Sequence, residues 1–106
     1  MNRIQIEEHN LHLIKGILKE TLLQNSCKVF IFGSRAGNTA LKYSDVDLAL
    51  DYNKKPLPLA IHASLSSAFE ESLLPYTVDI VDINSASKDF IASIKDDIVR
   101  IDYDEE

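Results

Sequence analysis

The sequence predicts an α/β (α+β) fold in which helices flank a small mixed β-sheet. Short apolar runs typical of strands alternate with longer segments whose apolar residues recur at helical spacing. The chain has 106 residues, of which 45% are hydrophobic, and this is enough for one compact core. We therefore expect residues 1–106 to form a single domain.

The first predicted element is an amphipathic helix over residues 4–23. Its apolar residues recur at spacings of three and four, as on the buried face of a helix: Leu11, Ile14, Leu18 and Leu22. The near-continuous apolar run 27–32 follows it and predicts a strand that is buried on both faces. A short helical segment is expected over residues 35–40.

The second half of the chain continues the alternation of strands and helices. The predicted elements are a strand over 45–52, a helix over 59–73, a strand over 77–83, a helix that ends near residue 97, and a short edge strand over 98–101. Several candidate N-caps lie at residues 84–87, before the last helix. The acidic tail 102–106 is expected to fray.

The first strand stops at Gly33-Ser34, which has the features of a phosphate-binding turn. A glycine at the end of a strand lets the backbone approach a ligand closely or adopt a positive φ. We predict that Ser34 caps the helical segment that follows and that its hydroxyl reaches a phosphate oxygen. The amides of that segment would point at the same anion.

Asp45 and Asp47 form a candidate metal site on the next strand. Side chains two residues apart in a strand point to the same side of the sheet, so these two carboxylates are held together. Their mutual repulsion is relieved if a divalent cation lies between them, and carboxylate oxygens are suited to Mg²⁺.

The strand over 77–83 carries two more aspartates, Asp79 and Asp82, which have opposite parity. An aspartate inside an apolar run costs desolvation energy unless it has a partner, and a metal ion is one such partner. Parity predicts that only one of the two faces the candidate site. The other would cap the turn that follows.

The pattern Gly-Ser, ten residues, Asp-x-Asp, with hydrophobic strands around both parts, resembles the DNA polymerase β superfamily of nucleotidyltransferases. The short chain resembles its minimal nucleotidyltransferases, the MntA-like proteins encoded beside a helical HEPN partner. This resemblance implies the nucleotidyltransferase fold. It also assigns the third carboxylate to Asp79, the aspartate that follows Thr77-Val78, in preference to Asp82.

The resemblance further implies the ligands of the site. Asp45, Asp47 and Asp79 would be the catalytic carboxylates and would hold two Mg²⁺ ions. Gly33, Ser34 and Arg35 would bind the nucleotide, with ATP as the donor. For Arg35 the alternative is a surface arginine that pairs with a carboxylate. A second basic residue often follows Gly-Ser-Arg-Ala in the minimal transferases; this chain has Gly37 there, and Lys42 is a candidate substitute.

Two functions remain open from the sequence. The first is an enzyme that transfers AMP from ATP to a hydroxyl on a protein partner, or on a substrate held by that partner. The second is an antitoxin or structural subunit that binds a HEPN partner with little or no catalysis. The residues do not select the base of the nucleotide, the acceptor or the oligomeric state.

Composition narrows the classes of partner and compartment. The formal net charge of −6 disfavours direct nucleic-acid binding, which normally needs a basic face. No run approaches the roughly 18 apolar residues that span a bilayer, and the N-terminus lacks a secretory pattern. The single cysteine, Cys27, is expected to be a buried structural thiol and fits a cytoplasmic location. The histidines are better explained as surface or boundary residues than as metal ligands or bases.

Overall fold

The computed structural model describes residues 4, 6–22, 27–36 and 45–103. Its elements in chain order are α1 Glu8–Thr21, β1 Lys28–Phe32, a 3₁₀ turn Gly33–Arg35, β2 Val46–Asp51, α2 Leu59–Glu70, β3 Val78–Asp82, α3 Lys88–Ile94 and β4 Val99–Ile101. The predicted fold class is confirmed, because helices flank a small mixed sheet. Lys42, Gly37 and most of the predicted helical segment 35–40 lie outside the described residues.

The four strands form one sheet in the order β3-β2-β1-β4. The central strand β1 is antiparallel to both of its neighbours, β2 and β4. β3 is parallel to β2, with α2 as the crossover between them. This arrangement brings the end of β1, the start of β2 and the start of β3 to the same end of the sheet.

The larger part of the core lies between the sheet and the helices α1 and α2. The apolar residues of α1 that recur at helical spacing are all buried here, as the sequence predicts. Val29 and Ile31 of β1 point into this layer, and so do Leu48 and Leu50 of β2. All four are fully buried and form the centre of the fold.

A smaller apolar cluster covers the opposite face of the sheet. Phe32 and Ala49 point to this side and pack against Ile94 of α3. The rings of Phe32 and Phe90 meet edge to face, with centroids 5.6 Å apart and an interplanar angle of 88°. Because apolar residues on both faces of β1 are covered, the prediction that this strand is buried on both sides is confirmed.

Local interactions fix the ends of the elements. Ser87 caps α3 by accepting a hydrogen bond from the Phe90 amide at 3.1 Å, as the N-cap candidates at 84–87 suggest. Cys27 is buried, as expected, and burial raises the pKa of its thiol to about 11. Nearby, the Tyr103 hydroxyl donates to the Cys27 carbonyl at 2.6 Å. Within the described segments, no helix has the length and apolar character that crossing a membrane requires.

Candidate functional site

The turn after β1 brings the backbone close to a carboxylate. Gly33 has a φ of +78°, and the Ala36 amide closes the turn by donating to the Gly33 carbonyl at 3.1 Å. A Cβ atom at position 33 would lie only 2.5 Å from Oδ2 of Asp47. Glycine is therefore favoured here for two reasons: its φ is strained for other residues, and a Cβ would push the Asp47 carboxylate aside.

Asp47 is the central carboxylate of the site. It is the second residue of β2 and lies between Phe32 of β1 and Asp79 of β3 in the register of the sheet. Its side chain is half-buried, and its pKa is raised, first by burial and then by the charges of Asp79 and Asp45. The other two carboxylates that the sequence singles out therefore both act on Asp47.

Asp45 and Asp79 are both exposed and flank Asp47 at the same end of the sheet. The Val46 amide donates to the Thr77 carbonyl at 2.9 Å, which fixes the start of β2 against the start of β3. Parity places Asp79 on the face of the sheet that α3 covers further along, the same face as Asp47.

The donor set fits a hard divalent cation, although it is not preassembled. The pKa of Asp47 is raised by burial and then by the neighbouring charges of Asp79 and Asp45, and a divalent cation would stabilise the ionised form against both effects. Among the described residues, no three acidic, histidine or cysteine side chains already converge on one point.

Asp82 has a structural role at the other end of β3. Its Oδ2 accepts from the Leu57 amide at 2.9 Å and from the Ser85 hydroxyl at 2.7 Å, and its Oδ1 accepts from the Asn84 amide at 3.1 Å. The prediction that Asp82 faces away from Asp79 and caps the following turn is confirmed.

Asp51 belongs to the same end of the sheet as Asp82. Its Oδ1 accepts from Asn84 Nδ2 and from the Lys54 amide, each at 2.9 Å. The hydrogen bond from Asn84 is the main reason that the pKa of Asp51 is lowered. Both aspartates therefore anchor turns, and neither contributes to the candidate site.

Two residues complete the turn that begins at Gly33. Ser34 lies inside this 3₁₀ turn, whose cap position is Phe32, and most of the helical segment that Ser34 is predicted to cap lies outside the described residues. Arg35 is not a surface residue, since its side chain is only 5% exposed. Its Cζ lies 4.3 Å from the centroid of the Tyr76 ring.

Tyr76 and His62 received no structural role from the sequence. Tyr76 lies just before β3, and its only local signal is an aromatic residue beside Pro75. His62 of α2 lies 3.3 Å from the Ile80 carbonyl through Nε2, which ties the helix to β3 and agrees with a non-catalytic histidine.

Comparison with known proteins defines the class. The family model described as "Polymerase beta, Nucleotidyltransferase" matches residues 5–106. Because this match covers nearly the whole chain, the protein belongs to the polymerase β nucleotidyltransferase family, and its enzyme class is that of a nucleotidyltransferase.

One relative indicates the group within the family to which the chain is similar in sequence. The chain is 39% identical over 88 residues to "Probable protein adenylyltransferase MntA" of Haemophilus influenzae, which covers 83% of this chain and 75% of the relative. This likeness confirms the resemblance to the minimal, MntA-like nucleotidyltransferases.

Two solved structures share the fold. A toxin–antitoxin crystal structure with AMP-PNP superposes with a TM-score of 0.63 at 22% identity, over 81% of this chain and 70% of that one. A candidate nucleotidyltransferase of Sulfolobus solfataricus gives a TM-score of 0.55 at 24% identity, over 87% and 78% of the two chains.

Proposed function

We propose that this protein transfers AMP from ATP, with Mg²⁺, to a hydroxyl group on a protein partner or on a substrate that the partner holds. The observation that carries the proposal is the position of Asp47, which lies against Gly33 on one side and in register with Asp79 on the other. This proximity supports a single site in which the Gly33–Arg35 turn would bind phosphate and the carboxylates would bind metal. The protein adenylyltransferase name of the Haemophilus relative and the AMP-PNP of the toxin–antitoxin structure support the choice of donor.

Binding of the triphosphate is assigned to the turn after β1. The missing Cβ of Gly33 lets the turn lie directly against the Asp47 carboxylate, so a phosphate bound by the turn would lie beside a metal ion bound by Asp47. Ser34 is expected to add its hydroxyl, and Arg35 to contribute to the same subsite through its place in the turn. Asp45, Asp47 and Asp79 would hold two Mg²⁺ ions. When bound, these ions would neutralise the phosphates and stabilise the entering and leaving oxygens.

The chemical step is an in-line displacement at the α-phosphorus. The acceptor hydroxyl oxygen forms a bond to this phosphorus, the bond to the bridging oxygen of the β-phosphate breaks, and pyrophosphate leaves. Asp79 is exposed on β3, an edge strand of the described sheet, so its carboxylate is open to an incoming hydroxyl and can take the proton.

The acceptor is proposed to come from a helical HEPN-type partner. The toxin–antitoxin neighbour supports a paired protein. The net charge of −6 is compatible with a basic partner surface.

A second function is an antitoxin that neutralises its partner by binding alone. The toxin–antitoxin structural neighbour is what supports it, since an antitoxin is a binding partner. In that case the site would be a relic, and the partner would bind without being modified.

Transfer of label from α-labelled ATP separates the two functions. Purified protein, the helical protein encoded beside it, and Mg²⁺ are incubated with wild type or with Asp45→Asn/Asp47→Asn. The matched control is Glu20→Gln/Asp102→Asn, which removes two exposed charges on α1 and after β4.

Label on the partner with wild type and with the control, lost in Asp45→Asn/Asp47→Asn, would support the adenylyltransferase. A stable complex without label in any reaction would reject ATP-dependent transfer and leave binding as the function. Far-ultraviolet circular dichroism of all three proteins checks that the loss is not caused by unfolding.

A further inference from the structure

Arg35 and Tyr76 make a contact that spans the site end of the sheet. Arg35 ends the 3₁₀ turn after β1, and Tyr76 lies two residues before β3. These two strands are not neighbours, because β2 lies between them. The contact between the Arg35 guanidinium and the Tyr76 ring, 4.3 Å from Cζ to the ring centroid, therefore connects the turn after β1 to the segment before β3.

The contact lies on the opposite face of the sheet from the carboxylates. Tyr76 packs against the core under α1 and α2, and Ala36 belongs to the same cluster. Asp47 and Asp79 have the parity of Ala49 and Val81, which pack under α3. The Arg35 guanidinium is thus directed away from the side on which the carboxylates would meet a metal-bound nucleotide.

The ring of Tyr76, rather than its hydroxyl, makes the contact. A buried guanidinium stacks favourably on an aromatic face, and desolvation strengthens the interaction. The hydroxyl is buried and forms no hydrogen bond of standard geometry with the described residues. Burial raises the pKa of this hydroxyl, whereas the charge of Arg35 and then the buried Asn10 of α1 lower it. Removing the hydroxyl should therefore leave the stack intact.

We propose that Arg35 and Tyr76 form a clasp that holds the Gly33–Arg35 turn at a set distance from the strand that carries Asp79. Arg35 is then a positioning residue for the nucleotide phosphates and acts through the turn. This inference rests on the proposed function for its effect on ATP, but not for its effect on the backbone.

The kinetic test is a double-mutant cycle on the KM for ATP. The variants are Tyr76→Leu, which removes the ring, Arg35→Met, which keeps the aliphatic stem, their combination, and Tyr76→Phe as the conservative control. We expect each single variant to raise KM about tenfold, the double variant to raise it by about the same factor, and Tyr76→Phe to match wild type. General destabilisation would lower the active fraction and hence kcat, and would leave KM unchanged.

Two kinetic results would overturn the clasp. If the losses of the single variants multiply in the double variant, Arg35 and Tyr76 act independently. If Arg35→Met raises KM far more than tenfold while Tyr76→Leu resembles wild type, Arg35 contacts the nucleotide directly.

Amide hydrogen exchange tests the clasp without any activity. The Ala36 amide closes the turn onto Gly33, and the Val46 amide joins β2 to Thr77. In Tyr76→Leu we expect exchange at both amides to accelerate at least tenfold, while amides of the buried strand centre, such as Ile31, keep wild-type rates.

The two readouts keep the clasp and the proposed function apart. Faster exchange at Ala36 and Val46 in a protein that shows no transfer would retain the clasp and reject the adenylyltransferase. Unchanged exchange at these amides would reject the clasp, whatever the transfer assay shows.

Discussion

Gly33 has a positive φ and lies directly against the Asp47 carboxylate. We predict that Gly33→Ala destabilises the protein by about 1–2 kcal/mol, because a φ of +78° is strained for alanine. The effect on transfer should be larger, since the new methyl group displaces the Asp47 carboxylate, whose Oδ2 it would meet at 2.5 Å. Urea unfolding and the labelled-ATP assay measure the two effects.

Gly16→Ala is the matched control for that substitution. Gly16 lies on α1 and is exposed, and a Cβ atom added to it would have no neighbour within 4 Å. Alanine should therefore stabilise the helix by about 0.5–1 kcal/mol and leave transfer unchanged. Full transfer by Gly33→Ala would show that Asp47 does not depend on the turn.

The raised pKa of Asp47 predicts that its charge destabilises the fold in the absence of metal. The folded state binds a proton more tightly than the unfolded state, whose value is near 3.8, so this group's contribution to stability falls as pH rises through the window above 3.8. Asp47→Asn cannot ionise and so avoids this loss of stability at higher pH. We expect the variant to be at least as stable as wild type at pH 7, with a smaller difference at pH 4.

The measurement is the free energy of unfolding from urea titrations at both pH values without divalent cations. A variant that is clearly less stable than wild type at pH 7 would mean that the ionised carboxylate makes favourable interactions in the fold. Asp51→Asn should behave in the opposite way. The pKa of Asp51 is lowered, so its ionised carboxylate stabilises the fold at pH values above 3.8, and this stabilisation is lost as the pH falls through the pKa of the folded state. The variant should therefore be less stable than wild type at pH 7.

Two contacts in the candidate site differ in how far the sequence predicts them. Strand parity separates Asp79 from Asp82, and the family resemblance then selects Asp79 as the partner of Asp47 in the sheet register. The stack of Arg35 on Tyr76 is not predicted, because it joins residues 41 positions apart across an intervening strand (76 − 35). No local pattern reports which ring a guanidinium will meet.

At the scale of elements, β3 separates two aspartates into different roles. Asp82→Ala should cost about 2 kcal/mol, because it leaves the amides of Leu57 and Asn84 and the hydroxyl of Ser85 without their charged acceptor. Asp79→Ala should change stability by less than about 0.5 kcal/mol, because the side chain is exposed, yet abolish transfer.

Thermal unfolding and the labelled-ATP assay on both variants measure this contrast. The reverse pattern, with stability lost in Asp79→Ala and transfer lost in folded Asp82→Ala, would move the third carboxylate of the site to Asp82.

The ends of the elements are less predictable than their order. The apolar pattern predicts α1 from residue 4, whereas the helix begins at Glu8; it predicts α3 to about residue 97, whereas that helix ends at Ile94. Apolar periodicity reports which residues pack, but a helix can end while its side chains still contact the core. The start of α3 is predicted more closely, because Ser87 is one of the candidate N-caps at 84–87 and its side chain accepts a hydrogen bond from the first turn of the helix.

At the scale of the whole molecule, the sequence predicts the mixed sheet but not the order of its strands. The β2-α2-β3 segment is a crossover unit, which accounts for its parallel pairing. The placement of β4 against β1 depends on α3 covering the Phe32 side of the sheet, and that is a tertiary contact. The same topology brings the starts of β2 and β3 to the end of β1 and so creates the candidate site.

A site assembled from three elements should couple ligand binding to the stability of the whole fold. We expect Mg²⁺ with AMP-PNP to raise the Tm of wild type, because a ligand at one hundred times its Kd adds about 2.7 kcal/mol to the free energy of unfolding. For a domain of this size, that is a shift in Tm of about 10 °C or more.

Controls separate ligand binding from other effects on Tm. NaCl at equal ionic strength should give a much smaller shift, which separates binding from simple screening of the net charge of −6. Asp45→Asn/Asp47→Asn should lose most of the response, whereas Glu20→Gln/Asp102→Asn should keep it. Equal shifts in the two double variants would mean that the ligand binds away from these carboxylates.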